Sequence, residues 1–556
     1  MTSKHVQQPL PPRSITGALR LSPRGWLFDL LVYAAALGLS VLAMSVLHGF
    51  DSGLSGSDEG SHFLNGYMIW SYVHEALGRN PLAYATDFYI HYPKISIGHW
   101  PPLYYVFLGA LFFVLPHVPL AFLLVNLVVG ALPALIVARV LRPLLGRPWA
   151  VLGALLCVAL PISLANSIRL MLDQALGMLC LLAALLWSAY ACRRTLGWAL
   201  GFAAVAAASI LVKGNGWVLV MFPLFHIALT GRWSMLWNWR TLAAAALALA
   251  VVGMWTVATY KISSDGFNYA WGWSYFALAL PTFLGQLYDC LGPVGVLLAV
   301  TGIWTSLGTR GNPALRELSR TGLALVLATV IFHSLVPVDL VARYMSSAVF
   351  PLAMFMAIGA WGLSQRLAWA VARPWAAAAL ALVVLSMPGL QFLYETRPRV
   401  DLRMAEVAQL LSAQPQGLAV VVDGNPGVEG ALTSEMALRD RVRQHYVVRS
   451  SQLLSTSDFM CHKYVLKADT PQQVLGLLDE MGAAAVVVAE GPVIETYEHN
   501  AVLKAALQDP VSPFRLAQVF RHERQDGQTS VYLRRDLVSP DRATITRVSF
   551  PAKAPK

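Results

Sequence analysis

The sequence predicts a polytopic α-helical membrane protein of about eleven spans, followed by an α/β domain outside the membrane. Hydrophobic residues make up 56% of the 556 residues and charged residues only 13%. The mean hydropathy is +0.56. This is more apolar surface than an ordinary soluble core can bury. Apolar runs long enough to cross a bilayer recur from Trp26 to Leu393, after which the composition becomes mixed and polar.

This change in composition divides the chain. Residues 1–25 are predicted to be a cytoplasmic N-terminal segment, because the apolar run that follows is too long for a signal-peptide core and has no cleavage site. Residues 26–394 form the membrane domain, whose first outer loop is 48–100. Residues 395–540 form the C-terminal domain, and 541–556 are a tail.

The spans are predicted at 26–47, 120–140, 149–168, 170–192, 196–212, 217–229, 242–260, 281–307, 321–336, 344–363 and 374–393. Basic clusters between them are expected to face the cytoplasm, and they are Arg139 to Arg147, Arg193 and Arg194, Arg232 and Arg240, Arg310 to Arg320, and Arg366 and Arg373. These clusters account for the net charge of +11, so membrane orientation is favoured over nucleic-acid binding.

A short apolar run at 103–115 complicates this topology. It follows Pro101 and Pro102 and is rich in aromatic residues, so we expect it to be re-entrant or to lie at the interface. If it does not cross, every basic cluster lies inside and the C-terminal domain lies outside.

Residue types suited to catalysis gather in four outward loops of this topology. They are Asp58 and Glu59 after the first span, Asp173, Lys213 in the segment Lys-Gly-Asn-Gly, and Arg343 with Tyr344. A helix cap or a headgroup contact is the alternative explanation for any one of them. Asp173 and Lys213, however, interrupt apolar runs, where ionised groups are costly unless they are paired or face a wet cavity.

These residue types fit transfer at an anomeric carbon. A hydroxyl or amine acceptor needs a carboxylate to take its proton, and a departing phosphate needs cations. Asp58 is the candidate base, with Glu59 orienting it or sharing the role. Lys213 and Arg343 are the candidate ligands of the phosphate.

Four histidines in the first outer loop could hold a divalent cation: His62, His74, His91 and His99. Their spacing matches no metal motif, so a loop with ordinary solvated histidines is favoured. The sequence therefore requires no cofactor but leaves a divalent cation open.

The motifs together resemble the GT-C-type membrane glycosyltransferases. Their nearest branches are the dolichol-phosphate-mannose protein mannosyltransferases and the bacterial aminoarabinose lipid A transferases. The resemblance covers about residues 25–365. It rests on Asp58-Glu59, Trp100-Pro101-Pro102-Leu103-Tyr104-Tyr105, Arg169 with Asp173, Leu211-Val212-Lys213-Gly214, and Arg343-Tyr344 before Pro351.

The resemblance implies a polyprenyl-phosphate-sugar donor, an active site at the outer face of a bacterial inner membrane and an inverting single displacement. It makes Asp58 the catalytic acid and Asp173 the acid of the second loop. Lys213, Arg343 and Tyr344 would lie near the donor phosphate, with Arg169, His99 and His62 in support. The aminoarabinose branch has an acid and a lysine before the first proline, where this chain has His99 and Trp100.

The acceptor stays open among a lipid, a glycan and a protein hydroxyl. A transporter or flippase of lipid-linked sugars is the alternative function, although the repeated halves typical of transporters are not evident in the sequence. A non-catalytic membrane scaffold is a third possible function. A scaffold role does not explain why charged residues lie inside apolar runs.

The C-terminal domain is predicted to contain helices at 404–411 and 471–481 and strands at 418–423, 483–489, 514–520 and 530–533. Gly424, Gly427 and Gly430 follow the first strand without the dinucleotide-binding spacing, so no nucleotide site is assigned. We expect the domain to cover the mouth of the active site or to contact the acceptor.

Overall fold

The computed structural model describes residues 25–96, 98–308, 312–414, 417–457, 463–536 and 538–550. The expectations for residues 1–24, for Arg310 and for the tail after residue 550 lie outside the described residues.

The membrane domain is built from apolar helices. Eight of the described helices are long and apolar enough to cross a membrane, a pair of helices bent by 60° passes the same test when counted together, and two shorter apolar helices lie between them. These correspond to the eleven predicted segments. They are α1 (Trp26–Val46), α5 (Pro119–Leu145), the bent pair α6 (Arg147–Ala159) and α7 (Pro161–Ser167), α8 (Asp173–Arg193), α9 (Leu196–Val212), α10 (Val218–Thr230), α11 (Trp239–Ser263), α12 (Trp273–Gly308), α13 (Pro313–Leu335), α14 (Ser346–Ser364), and the pair α16 (Pro374–Leu385) and α17 (Met387–Glu395).

The remaining helices of this part lie in loops: α2 (Glu59–Glu75), α3 (Pro81–His91), α4 (Leu103–Leu111) and α15 (Ala368–Ala372). Helix α4 has nine residues. It is therefore about 14 Å long at 1.5 Å per residue, about half the thickness of a hydrocarbon core. A helix this short does not cross a bilayer, in keeping with the non-spanning interpretation of the run at 103–115.

The C-terminal domain is α/β, as predicted. Its sheet has the order β2 (Tyr446–Arg449), β1 (Ala419–Asp423), β5 (Ala483–Glu490), β7 (Gln528–Arg534) and β6 (Phe514–Arg521). Strands β2, β1 and β5 are parallel, whereas β7 pairs antiparallel with both β5 and β6. The elements are α18 (Met404–Ser412), β1 (Ala419–Asp423), α19 (Pro426–Arg439), β2 (Tyr446–Arg449), α20 (Ser450–Leu453), β3 (Ser455–Thr456), β4 (Val465–Leu466), α21 (Pro471–Met481), β5 (Ala483–Glu490), α22 (Glu498–Gln508), β6 (Phe514–Arg521), β7 (Gln528–Arg534) and α23 (Arg542–Ser549).

Helix α19 packs directly against α2 of the first outer loop. A β-carbon on Gly60 would lie 2.6 Å from the carbonyl oxygen of Gly430, and one on Gly427 would lie 2.3 Å from the carbonyl oxygen of Ser55. Glycines after the first strand thus allow close contact between the two domains. The hydroxyl of Tyr92 strengthens this contact by donating a hydrogen bond of 2.7 Å to Asp440.

Candidate active site

Asp58 is the residue just before α2, and its side chain makes no capping hydrogen bond to that helix. Its carboxylate accepts a hydrogen bond of 2.6 Å from Nη1 of Arg343, which lies in the short 3-10 turn Ala342–Met345 before α14. The two side chains are 25% and 28% exposed, so the pair is partly accessible.

A second ion pair joins Lys213 and Asp173. Lys213 lies in the break between α9 and the 3-10 turn Gly214–Trp217, and Asp173 is the first residue of α8. The Nζ atom donates a hydrogen bond of 2.7 Å to Oδ1 of Asp173, whose side chain is fully buried. Oδ2 of Asp173 has no hydrogen-bond partner among the described residues.

Tyr344 brings the two ion pairs together. The Nζ atom of Lys213 lies 5.5 Å from the centre of its ring, and the guanidinium carbon of Arg343 lies 5.9 Å from it. The four charged groups come from four separate parts of the chain.

Glu59 has a different environment from Asp58, although the two are adjacent. It is fully buried and forms a two-pronged ion pair with Arg399, with both N···O distances 2.9 Å. Backbone amides of Gly56 and Leu170 also donate to it, at 2.6 and 3.0 Å. Both carboxylate oxygens of Glu59 therefore accept hydrogen bonds. Through them the residue links the first outer loop to the segment after the last membrane helix.

The Asp58 and Arg343 side chains line a cavity of about 1550 Å³ between the membrane domain and the C-terminal domain. Lys213, Tyr344 and the three residues predicted in support also line it, whereas Glu59 and Asp173 do not. Asp173 is connected to the cavity by its ion pair with the cavity-lining residue Lys213.

The supporting residues differ in their contacts. Arg169 is exposed to the cavity, and its side chain makes no hydrogen bond or ion pair within the part of the chain that the structure describes. His62 is buried, with Nδ1 3.0 Å from the hydroxyl of Tyr105 and its ring 4.6 Å from that of Trp100. His99 is half-buried in the cavity wall.

His333 is a cavity residue that sequence reasoning missed. It lies in the last turn of α13, is 1% exposed, and stacks on the ring of Tyr344 at 5.3 Å. Neither ring nitrogen has a partner among the described residues. A histidine inside an apolar run is the signal that could have revealed it.

The four histidines of the first outer loop do not come together. His74 stacks on Trp70 and His91 on Tyr446, and neither lines the cavity. No group of three or more metal-ligating side chains occurs among the described residues. The acids near the cavity form ion pairs with Lys213, Arg343 and Arg399.

Electrostatics keep Asp58 ionised and His62 neutral. Burial raises the pKa of Asp58, but the neighbouring cations Arg343 and Lys213 more than offset this and lower it to about 2. Burial lowers the pKa of His62 to about 3, with the neighbouring cations Lys213 and Arg343 acting in the same direction. At neutral pH the cavity thus has an ionised carboxylate beside three cations and a neutral imidazole.

The fold is shared with known structures. The crystal structure of ArnT from Cupriavidus metallidurans bound to undecaprenyl phosphate matches with a TM-score of 0.54 at 16% identity, covering 94% of this chain and 100% of that one. The apo state of the same protein matches with a TM-score of 0.53 at 14% identity, covering 91% and 98%. A weaker match, to an oligosaccharyltransferase of Archaeoglobus fulgidus in complex with Zn and sulfate, has a TM-score of 0.49 at 12% identity and covers 82% and 67%.

No protein-family model matches the chain, and no curated protein sequence matches it either. At these identities the structural likeness shows the fold, and it confirms the predicted fold class of a helical membrane domain with a C-terminal α/β domain.

Proposed function

We propose, from the GT-C-type fold that the chain shares with ArnT, that it transfers a sugar from a polyprenyl-phosphate donor to an acceptor. The reaction would occur at the outer face of a bacterial inner membrane, with the N-terminus in the cytoplasm and the C-terminal domain in the periplasm. The observation that carries the proposal is the meeting of Asp58, Arg343, Lys213 and Tyr344 at one cavity.

The shape of the cavity supports a lipid-linked donor. Its cationic part is formed by Arg169, Lys213 and Arg343, which suit a phosphate. Its apolar part is formed by α10, α11 and α13 and the loop before α12, through Val220, Met221, Ile262, Trp271, Phe332 and Leu335. One wall therefore suits a polyprenyl chain and the other its charged head.

We assign the general base to Asp58. A hydroxyl or amine of the acceptor attacks the anomeric carbon and gives its proton to the Asp58 carboxylate. The bond between that carbon and the phosphate oxygen breaks in the same step, and the electron pair leaves with the polyprenyl phosphate. A single displacement of this kind inverts the anomeric configuration.

The two ion pairs link donor binding to the release of the base. In the structure Arg343 is held by Asp58 and Lys213 by Asp173. The donor phosphate, a phosphodiester with one negative charge and two free oxygens, competes for both cations when it binds, and it becomes a more highly charged monoester as the sugar leaves. Turning of Arg343 toward the phosphate frees Asp58 to meet the acceptor, so donor binding prepares the base.

Asp173 and Glu59 serve as positioning residues in this scheme. Asp173 holds Lys213 at the cavity, and Glu59 fixes the backbone just after Asp58 through Arg399.

The test is sugar transfer by the purified full chain in lipid nanodiscs. The donors are undecaprenyl phosphates carrying labelled mannose, galactose or 4-amino-4-deoxyarabinose, and the acceptors are extracted envelope lipids and glycans. We expect Asp58→Asn to lower the rate by about 10²- to 10⁴-fold, the usual contribution of a general base.

Asp51→Asn is the matched control, because Asp51 is a 57% exposed acid of the same outer loop, paired with Arg524. It should transfer sugar at the rate of the unmodified protein. Equal rates for the two variants would exclude Asp58 as the base. Movement of labelled donor across a sealed bilayer without sugar transfer would instead support a flippase.

A further inference from the structure

The C-terminal domain contributes its own wall to the cavity. This wall contains Gly424 just after β1, Arg449 at the end of β2, and Tyr497 and His499 beyond β5. It is therefore the edge at which the three parallel strands end.

This edge is also where the strand order reverses. The chain leaves β1 through α19 toward β2 on one side, and leaves β5 through α22 toward β6 on the other. In open α/β sheets such a point, between adjacent strands, forms a crevice that binds ligands. Asn500 bridges its floor by donating a hydrogen bond of 2.8 Å to Asp423 at the end of β1.

Three aromatic rings stack beside the crevice. The ring centres of Tyr497 and His499 are 5.8 Å apart with planes 6° apart, and Tyr464 lies 6.2 Å and 5.9 Å from them. Such rings offer a flat apolar surface with polar tips. Nδ1 of His499 is 3.1 Å from the hydroxyl of Tyr464.

The other nitrogen of that histidine is available to a ligand. His499 is 2% exposed and lines the cavity, yet its Nε2 has no partner among the described residues. Buried polar atoms are normally hydrogen-bonded, so one that is left without a partner at a cavity wall marks a place for a ligand hydroxyl.

A cation completes the wall. Lys467 is exposed at the cavity and donates a hydrogen bond of 2.7 Å to the carbonyl oxygen of Gln452, which leaves two of its three protons for a ligand. Arg449 lies close by but is engaged by the buried carboxylate of Glu429 at 2.7 Å.

We propose that this wall is a binding subsite for an anionic sugar of the acceptor, which stacks on Tyr464 and Tyr497, bonds His499 and places its charge at Lys467. The proposal rests on the proposed function and deepens it by naming the class of acceptor. A cavity of about 1550 Å³ exceeds the roughly 300–1,000 Å³ typical of single small-molecule pockets, so it has room for a donor head and an acceptor sugar together.

The test measures the binding of two probes, glucose 6-phosphate and glucose, to the full chain in nanodiscs by saturation-transfer NMR. It needs neither donor nor turnover, so its result is independent of the transferase assay. We expect glucose 6-phosphate to bind more tightly than glucose. Lys467→Ala and His499→Gln should each weaken its binding by about three- to tenfold, the loss of one charge-assisted or buried hydrogen bond.

Lys504→Ala is the control variant. It removes an exposed lysine of the same domain that is paired with Glu490 and does not line the cavity, and it should bind glucose 6-phosphate as the unmodified protein does. Arg169→Ala removes a cation from the membrane side of the cavity and shows whether the probe binds there instead. Weakening by Arg169→Ala but not by Lys467→Ala, or equal binding of the two probes, would overturn the proposal. Thermal unfolding identifies any variant that fails to fold, and Lys467→Ala alters only an exposed side chain.

Discussion

The ion pair of Lys213 and Asp173 allows a catalytic role to be separated from a structural one. Its N···O distance is 2.7 Å, and the two side chains are 13% and 0% exposed. Breaking a buried pair from one side leaves an uncompensated charge and costs about 3–5 kcal/mol, whereas replacing both partners is often close to neutral. Because Lys213 touches the cavity, we expect the lower end of that range.

Three variants therefore have distinct expected stabilities. Asp173→Asn and Lys213→Met should each lower the free energy of unfolding by about 3 kcal/mol, and the double variant should recover most of that loss. Thermal unfolding in nanodiscs measures the recovery. These stability measurements test only whether the two side chains form an ion pair.

Donor affinity decides whether the pair has a function. Losing a hydrogen bond from Lys213 to a phosphate costs about 1.5–3 kcal/mol, which corresponds to an affinity for undecaprenyl phosphate about 10- to 150-fold weaker. The double variant should therefore be stable but bind the lipid poorly. A stable double variant with unchanged affinity would refute the assignment of Lys213 to the donor.

A matched pair controls for general damage to the membrane domain. Arg232 and Glu317 also form an ion pair of 2.7 Å, with side chains 29% and 7% exposed, and neither lines the cavity. Replacing either partner alone, by Arg232→Met or Glu317→Gln, should lower stability without affecting affinity for undecaprenyl phosphate.

Three further predictions follow from single contacts. Arg343→Gln removes the cation that holds the pKa of Asp58 low, so burial should then raise that pKa. Because kcat/KM reports the free enzyme, in which Arg343 holds Asp58, kcat/KM should be flat from about pH 4 to 7 in the unmodified protein and should fall toward pH 4 in the variant; a flat profile for the variant would contradict the reasoning. Glu59→Gln leaves Arg399 buried without its counter-charge, and we expect a loss of about 3–5 kcal/mol together with faster proteolysis between the domains; unchanged cleavage would argue against this tie. Gly60→Ala adds a methyl group 2.6 Å from a backbone oxygen, so unfolding assays should show a loss of about 1–3 kcal/mol of stability. Gly38 has open space around it, so Gly38→Ala should cause no loss.

Much of the fold could be predicted because its signals are local. A membrane helix is specified by its own apolar residues, so each predicted segment has a counterpart in the structure. The strands at β1 and β5 are also locally marked, since each is a run of Val and Ala. Boundaries were less accurate, as for α12, which begins at Trp273 rather than at Pro281.

The site was predictable in its members but not in its pairings. Asp173 and Lys213 stood out because each interrupts an apolar run, and the structure brings them into contact. The partner of Glu59, by contrast, is 340 residues away at Arg399 in a polar linker without any local signal. The adjacent acids thus differ in environment because of contacts between residues that are far apart in the sequence. The contribution of the C-terminal domain to the cavity also depends on such long-range contacts, so it could not be predicted.

A structure of the full chain with undecaprenyl phosphate in nanodiscs tests the central claim most directly. We expect the phosphate in the cavity, with its oxygens about 2.7–3.2 Å from nitrogens of Arg343 and Lys213, and with Asp58 released from its ion pair. A lipid phosphate bound elsewhere, with both ion pairs intact, would contradict the account.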